Sequence, residues 1–188
     1  MPRALDHDEQ RQTLALRCVP LFAQRGYAGL NMRTIASELG VSTGVLYHYF
    51  PSKAALFETV VRVSVETDVE SGTRLLLKAA RSPRERLSLL LHFMDREMPR
   101  FVAHYRVLVE FTSQLDSDDE MREWAGVVKG LRARYSRAMG EVLDLPREDQ
   151  RDLVLLTTCG LILRAMIGDR TTNLDNAAKM LGRALGWE

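Results

Sequence analysis

Residues 31–57 read NMRTIASELGVSTGVLYHYFPSKAALF, and the spacing within this stretch predicts two short helices around a tight turn, followed by the start of a third. Asn31 is a helix N-cap type. Ile35, Ala36 and Leu39 fall on one apolar face. Gly40 suits the left-handed position that ends a helix. Ser42 caps the second helix, and Leu46 and Phe50 turn inward at i and i+4. Thr43, Gly44, Val45, Tyr47 and His48 then share the opposite face, which is small and polar at its N-terminal end and carries no long acid. A helix-turn-helix with such a face is shaped to enter a DNA major groove.

The residue types on that face fit the task. Gly44 removes a side chain where backbone must approach a duplex. Thr43 can donate or accept, and Val45 can touch a thymine methyl. Tyr47 and His48 can bond phosphates or base edges. Lys53 and Arg33 stand at helix starts as candidate phosphate clamps. With Ser42, the candidate DNA-contact set is Arg33, Ser42, Thr43, Gly44, Val45, Tyr47, His48 and Lys53.

The segment resembles the DNA-binding domain of TetR-family transcriptional repressors. The pattern stands here as Gly26-Tyr27, Ile35-Ala36, Gly40-Val41-Ser42, Leu46-Tyr47-His48-Tyr49-Phe50 and Ser52-Lys53-Ala54-Ala55-Leu56. The resemblance covers about the first third of the chain, and so many fixed spacings make it specific. It implies an all-α fold, with an N-terminal three-helix helix-turn-helix domain and a C-terminal helical bundle for ligand binding and dimerisation. It also implies DNA contacts at Thr43, Gly44, Val45, Tyr47, His48 and Lys53. Thr43 departs from the lysine common at its position in relatives, which bears on phosphate contact and sequence choice. Pro20 departs too, and predicts a kink or early break in the first helix.

The chain has 188 residues and a formal net charge of +1, from 26 Lys and Arg against 25 Asp and Glu. The whole molecule is therefore no polycation, and DNA binding must use a local patch. Between residues 10 and 53 the bases are Arg11, Arg17, Arg25, Arg33 and Lys53, against Glu38 alone. Cys18 and Cys159 lie in apolar contexts without metal-ligand spacing and read as buried thiols in a reducing compartment. No secretory leader pattern stands at the N-terminus. The apolar run from Leu153 to Ile167 is broken by Thr157, Thr158 and Arg164 and is too short for a membrane span. The expectation is a cytoplasmic protein with no membrane association, no metal site and no cofactor.

Domains are expected at residues 1–52 (helix-turn-helix) and 53–188 (effector binding and dimerisation). Residues 1–7 read as a mobile arm, and the first helix as about Asp8 to Arg25. Ser82-Pro83-Arg84-Glu85 and Ser117-Asp118-Asp119-Glu120 are two capping boxes. Leu87, Leu90, Leu91, Met94 and Met98 point inward from the first of these helices, which Pro99 is expected to end. Met121, Trp124, Val128, Leu131, Tyr135 and Val142 keep a 3–4 spacing behind the second.

In the family resembled, the central helices enclose a ligand cavity. Phe93, Met94, Phe101, Tyr105, Glu110, Phe111, Trp124 and Tyr135 are the candidate effector-binding residues, suited to a small apolar or aromatic molecule with one or two polar anchors. Glu110 also reads as a solvent-facing or ion-paired side chain. The last two helices are largely apolar and need burial by neighbouring helices or by a partner chain. In the family they form a two-fold dimer interface, which places Leu156, Leu163, Arg164, Leu181 and Leu185 in a homodimer contact. Two recognition helices about 34–36 Å apart would then read a palindromic operator in double-stranded DNA.

The expectation is thus a DNA-binding transcriptional regulator, a repressor released from its operator by a small molecule. The alternatives are a DNA-organising helix-turn-helix protein without effector, and a helical-bundle enzyme. No nucleotide-binding glycine loop or metal-binding His-Glu-x-x-His is present to support the last.

Overall fold

The computed structural model describes residues 3–169 and 171–187, with side chains from His7 onward. Among these residues every regular element is a helix: α1 Arg3–Arg25, α2 Met32–Leu39, α3 Thr43–Tyr49, α4 Lys53–Ala79, α5 Pro83–Arg96, α6 Met98–Thr112, α7 Asp118–Leu143, α8 Glu148–Met166 and α9 Leu174–Ala184.

The local signals account for most boundaries. Asn31 Oδ1 accepts from the Thr34 amide at 2.9 Å and opens α2, and Gly40 closes it at φ 68°. Ser42 Oγ accepts from Val45 N at 3.1 Å and opens α3. Both capping boxes form. Glu85 reaches back to the Ser82 amide while Ser82 Oγ accepts from the Glu85 amide. Glu120 and Ser117 do the same at 3.2 Å in each direction.

Four expectations are corrected. Residues 3–7 belong to α1 rather than to an arm; residues 1 and 2 lie outside the described residues. Pro20 sits inside α1 without ending it. Its ring faces solvent, and Leu14, Ala15, Cys18 and Phe22 on the other side are buried, so packing outweighs one lost backbone bond. Pro99 does not end α5 but lies in the first turn of α6, where a missing amide hydrogen costs nothing. On α7 the buried stripe continues from Trp124 through Val127, Ala138 and Val142, leaving Met121 and Val128 exposed.

The chain forms two compact units, with boundaries after Thr67, Tyr105 and Val127. The first joins the chain up to Thr67 with Arg106–Val127, so the C-terminal half of α6 and the first part of α7 belong with the helix-turn-helix. The second joins Asp68–Tyr105 with the chain from Val128 onward. In the first unit, Leu46 and Phe50 are fully buried with Ile35 and Leu56. In the second, Leu87, Leu91, Met94, Val142, Leu143, Val154, Ile162, Leu181 and Leu185 share one core cluster. Each fully buried Leu or Val contributes about 1.5–3 kcal/mol of hydrophobic free energy.

Candidate nucleic-acid interface

The recognition helix α3 is amphipathic as its spacing predicts. Leu46 is 0% exposed and Tyr47 52% exposed. Ser42, Gly44, Val45 and His48 are exposed beside Tyr47, and Thr43 is half-buried. An added Cβ at Gly44 would meet only Ser42 Oγ, at 3.7 Å, so the fold itself does not demand glycine there. Arg33 is exposed on the first turn of α2. His7, in the first turns of α1, packs its ring 5.4 Å from His48 and 4.8 Å from Tyr49. The sequence reading missed His7, because it treated the residues up to His7 as an arm.

Most of the basic surplus around the helix-turn-helix is used within the unit. Arg11 donates to Thr59 Oγ1 at 2.9 Å, Arg17 to the Leu39 carbonyl at 2.6 Å, and Arg25 pairs with Glu38 at 2.6 Å. Lys53 donates to the carbonyls of Tyr27 and Leu30, both at 3.0 Å. Its ammonium is partly desolvated, and burial lowers its pKa from the ordinary lysine value while Glu110 opposes the shift. Two of its three donors are thus occupied, which limits the part Lys53 can play as a phosphate clamp.

Between α1 and α2, Gly26 adopts φ 70°, which turns the next two amides toward the same point. Such a nest binds an anion. The anion is Glu110: its Oε2 accepts from Tyr27 N at 2.9 Å and its Oε1 from Ala28 N at 2.8 Å. Glu110 is therefore neither a solvent-facing carboxylate nor an effector anchor, because both oxygens are committed to the turn. The 83-residue separation hid this pairing from sequence reasoning; the Gly26-Tyr27 pair was its one visible sign.

The other candidate effector residues divide. Phe111 and Trp124 are buried in the first unit. Phe111 lies 4.8 Å from Tyr27, 4.8 Å from Phe57 and 4.7 Å from Trp124, ring centre to ring centre. Trp124 Nε1 donates to Thr112 Oγ1 at 3.0 Å. They are core residues of the unit that carries the recognition helix. Met94 is core of the second unit. Phe93, Phe101, Tyr105 and Tyr135 remain, all half-buried in that unit. Phe93 and Phe101 meet edge-on at 6.5 Å. Tyr105 Oη and Cys159 Sγ are 3.2 Å apart. Burial raises the pKa of both tyrosine hydroxyls well above the ordinary range and lowers that of His104, with Asp68 opposing the latter shift. Asp68 itself pairs with Arg100 at 3.1 Å.

The candidate interface residues divide as well. Leu156 is 71% exposed and Leu163 59%, and Ile167 continues their stripe along α8 at 76%. Cys159 lies on the same stripe and is exposed, against the expectation of a buried thiol. Cys18 is buried, and burial pushes its pKa up to about 12. Leu181 and Leu185 are instead buried in the core cluster of their own unit. Arg164 pairs with Asp169 at 2.6 Å and donates to Thr172 Oγ1 at 2.9 Å, tying the end of α8 to the following loop. Among the described residues no group of three His, Cys, Asp or Glu side chains could hold a metal ion, and no helix is long and apolar enough to cross a membrane.

Comparison with known proteins agrees with this geometry. Residues 19–60 match the family "Bacterial regulatory proteins, tetR family", a span that contains α2, α3 and the turns around them. The chain is 24% identical over 188 residues to the HTH-type transcriptional regulator PksA of Bacillus subtilis, covering 96% of this chain and 90% of that protein. It is 25% identical over 181 residues to the HTH-type transcriptional repressor KstR of Mycolicibacterium smegmatis, covering 92% and 87%. In fold it is similar to a TetR-family transcriptional regulator from Mesorhizobium loti, with a TM-score of 0.66 at 19% identity over 98% of this chain and 97% of the other. The helix-turn-helix, the all-helical architecture and these relatives together support a TetR-family helix-turn-helix transcriptional regulator.

Proposed function

We propose that this protein is a homodimeric repressor that holds a palindromic operator through two copies of α3 and releases it when a small molecule enters the second unit. The observation that carries this reading is the split of α3, with Leu46 buried and Tyr47, Val45, His48, Ser42 and Gly44 exposed on one face. Nothing in the fold requires that face to be so small and so free of acids, whereas a major groove does. Arg33, Thr43 and Lys53 complete the contact set, with Lys53 contributing less than a free lysine would.

The α8 stripe of Leu156, Leu163 and Ile167 supports the dimer. A contiguous apolar face of this kind is rarely left in water. The effector is a mainly apolar molecule with one or two polar anchors, met by Phe93, Phe101, Tyr105 and Tyr135. It shifts the DNA-binding equilibrium only by its differential affinity for the two states, typically about 1–3 kcal/mol. The protein acts in the cytoplasm and is not an enzyme.

Selection of bound duplexes from a random pool tests the reading. A palindrome with half-sites about one helical turn apart supports it. Binding without sequence preference would point instead to a DNA-organising protein. A small-molecule screen for release of the selected duplex then tests the effector.

A further inference from the structure

We propose that Glu110 is a positioning residue for DNA recognition: the α6 carboxylate seated in the Gly26 nest holds α2, and through it α3, in the orientation that reads the operator. The inference rests on the proposed DNA-binding role of α3.

The turn between α1 and α2 is gripped from two sides by opposite charges. Glu110 takes the amides of Tyr27 and Ala28 at 2.9 and 2.8 Å. Lys53 takes the carbonyls of Tyr27 and Leu30 at 3.0 Å each. The next residue is Asn31, whose side chain caps α2. The turn therefore ends where α2 begins. From α2 the geometry passes directly to α3, since the Val41 amide bonds back to the Ala36 carbonyl and Ser42 caps the recognition helix.

The seat is built for a carboxylate. A Cβ on Gly26 would stand 2.5 Å from Glu110 Oε2, so only glycine admits the carboxylate at this distance. Two amides converge on two oxygens, and an amide side chain could satisfy only one of them as acceptor. The residue after Glu110 adds an apolar grip, since the Phe111 ring lies against Tyr27 and Phe57. Two consecutive residues of α6 thus hold the turn, one by charge and one by packing. A carboxylate that only stabilised the fold could be lost without changing the affinity of the molecules that remain folded. A positioning carboxylate could not.

The test uses the full chain, the duplex selected by the wild type, and the variants Glu110→Gln and Glu110→Ala. Circular dichroism establishes that each variant is folded, and amide hydrogen exchange reads Tyr27 and Ala28. Exchange at those two amides is expected to speed up. Operator affinity per folded molecule is expected to fall about tenfold, the size of one lost hydrogen bond to a charged group. Binding to unrelated duplex should stay within about twofold, because phosphate contacts dominate it. Faster exchange with unchanged operator affinity would overturn the proposal, since the clasp would then stabilise the turn without aiming α3. The wild type supplies an arm that does not depend on variant folding: Tyr27 and Ala28 amides exchanging at unprotected rates would show that the clasp does not form. If the wild type selects no operator, the proposed function fails, and the exchange measurement still reports separately on the clasp.

Discussion

The Lys53 ammonium lies 3.9 Å above the ring of Tyr27 and donates to the carbonyl of that same residue at 3.0 Å. One lysine thus satisfies a cation–π contact and, with Leu30, two backbone acceptors. Lys53→Met keeps the apolar stem and removes the donors. It is expected to destabilise the protein by about 1–3 kcal/mol, because two part-buried carbonyls lose their partner. Operator affinity should fall without a change in sequence preference. Thermal denaturation beside a salt titration of binding checks this; an unchanged melting temperature would mean that the internal bonds carry no weight.

Adjacent residues on α3 should separate cleanly. Leu46→Ala removes a fully buried side chain and is expected to cost about 2–5 kcal/mol of stability. Tyr47→Ala should leave stability within about 0.5 kcal/mol and weaken operator binding by about 1–3 kcal/mol. Gly44→Ala is the sharper companion. Its added methyl meets no close neighbour, so the melting temperature should hold or rise slightly while operator binding weakens. Unfolding curves and binding isotherms on the same preparations decide the matter, and a reversal of the two phenotypes would mean the recognition face is misassigned.

The two ends of the apolar C-terminal region should respond differently to charge. Leu163→Glu places a carboxylate on the exposed α8 stripe and is expected to give a folded monomer with greatly weakened operator binding. Leu181→Glu places one in a core position that is 6% exposed, and should unfold the second unit instead. Light scattering and circular dichroism distinguish the outcomes. Thiol labelling gives an independent readout. If the proposed dimer covers the stripe, Cys159 should react slowly in the wild type and faster in Leu163→Glu. Cys18, its thiol pushed up to about 12 by burial, should stay protonated and unreactive until the chain unfolds.

Trp124 is buried in an aromatic cluster with Phe57 and Phe111. Trp124→Ala opens the cluster around Phe111 and Phe57 and removes the indole donor to the Thr112 hydroxyl, which keeps its own bond to the Leu108 carbonyl. The expected loss is about 3–5 kcal/mol, and operator binding should fall with it. Phe101→Ala, in the second unit, should leave operator binding intact. Equal effects of the two substitutions on DNA binding would contradict the division of these aromatics between the units.

The helices of the DNA-binding region and the orientation of the recognition face are legible in the local residue pattern. Caps such as Asn31, Ser42, Ser82 and Ser117 act within three residues of themselves, and the 3.6-residue period places Leu46 and Tyr47 on opposite sides whatever packs against them. The same pattern also marked Gly40 as a turn residue. Tertiary structure alone decided which of two similar apolar or charged positions faces a neighbour. Leu163 and Leu181 read alike in the sequence, yet one lies on an open stripe and the other in a core, because helical periodicity sets which residues share a face and not what that face meets. Phe101 and Phe111 lie on one helix and serve different units for the same reason. The pairing of Glu110 with the amides of Tyr27 and Ala28 is the clearest case. A carboxylate and a left-handed glycine far apart in the chain carry no mutual signal, and only the fold brings charge and nest within hydrogen-bonding distance.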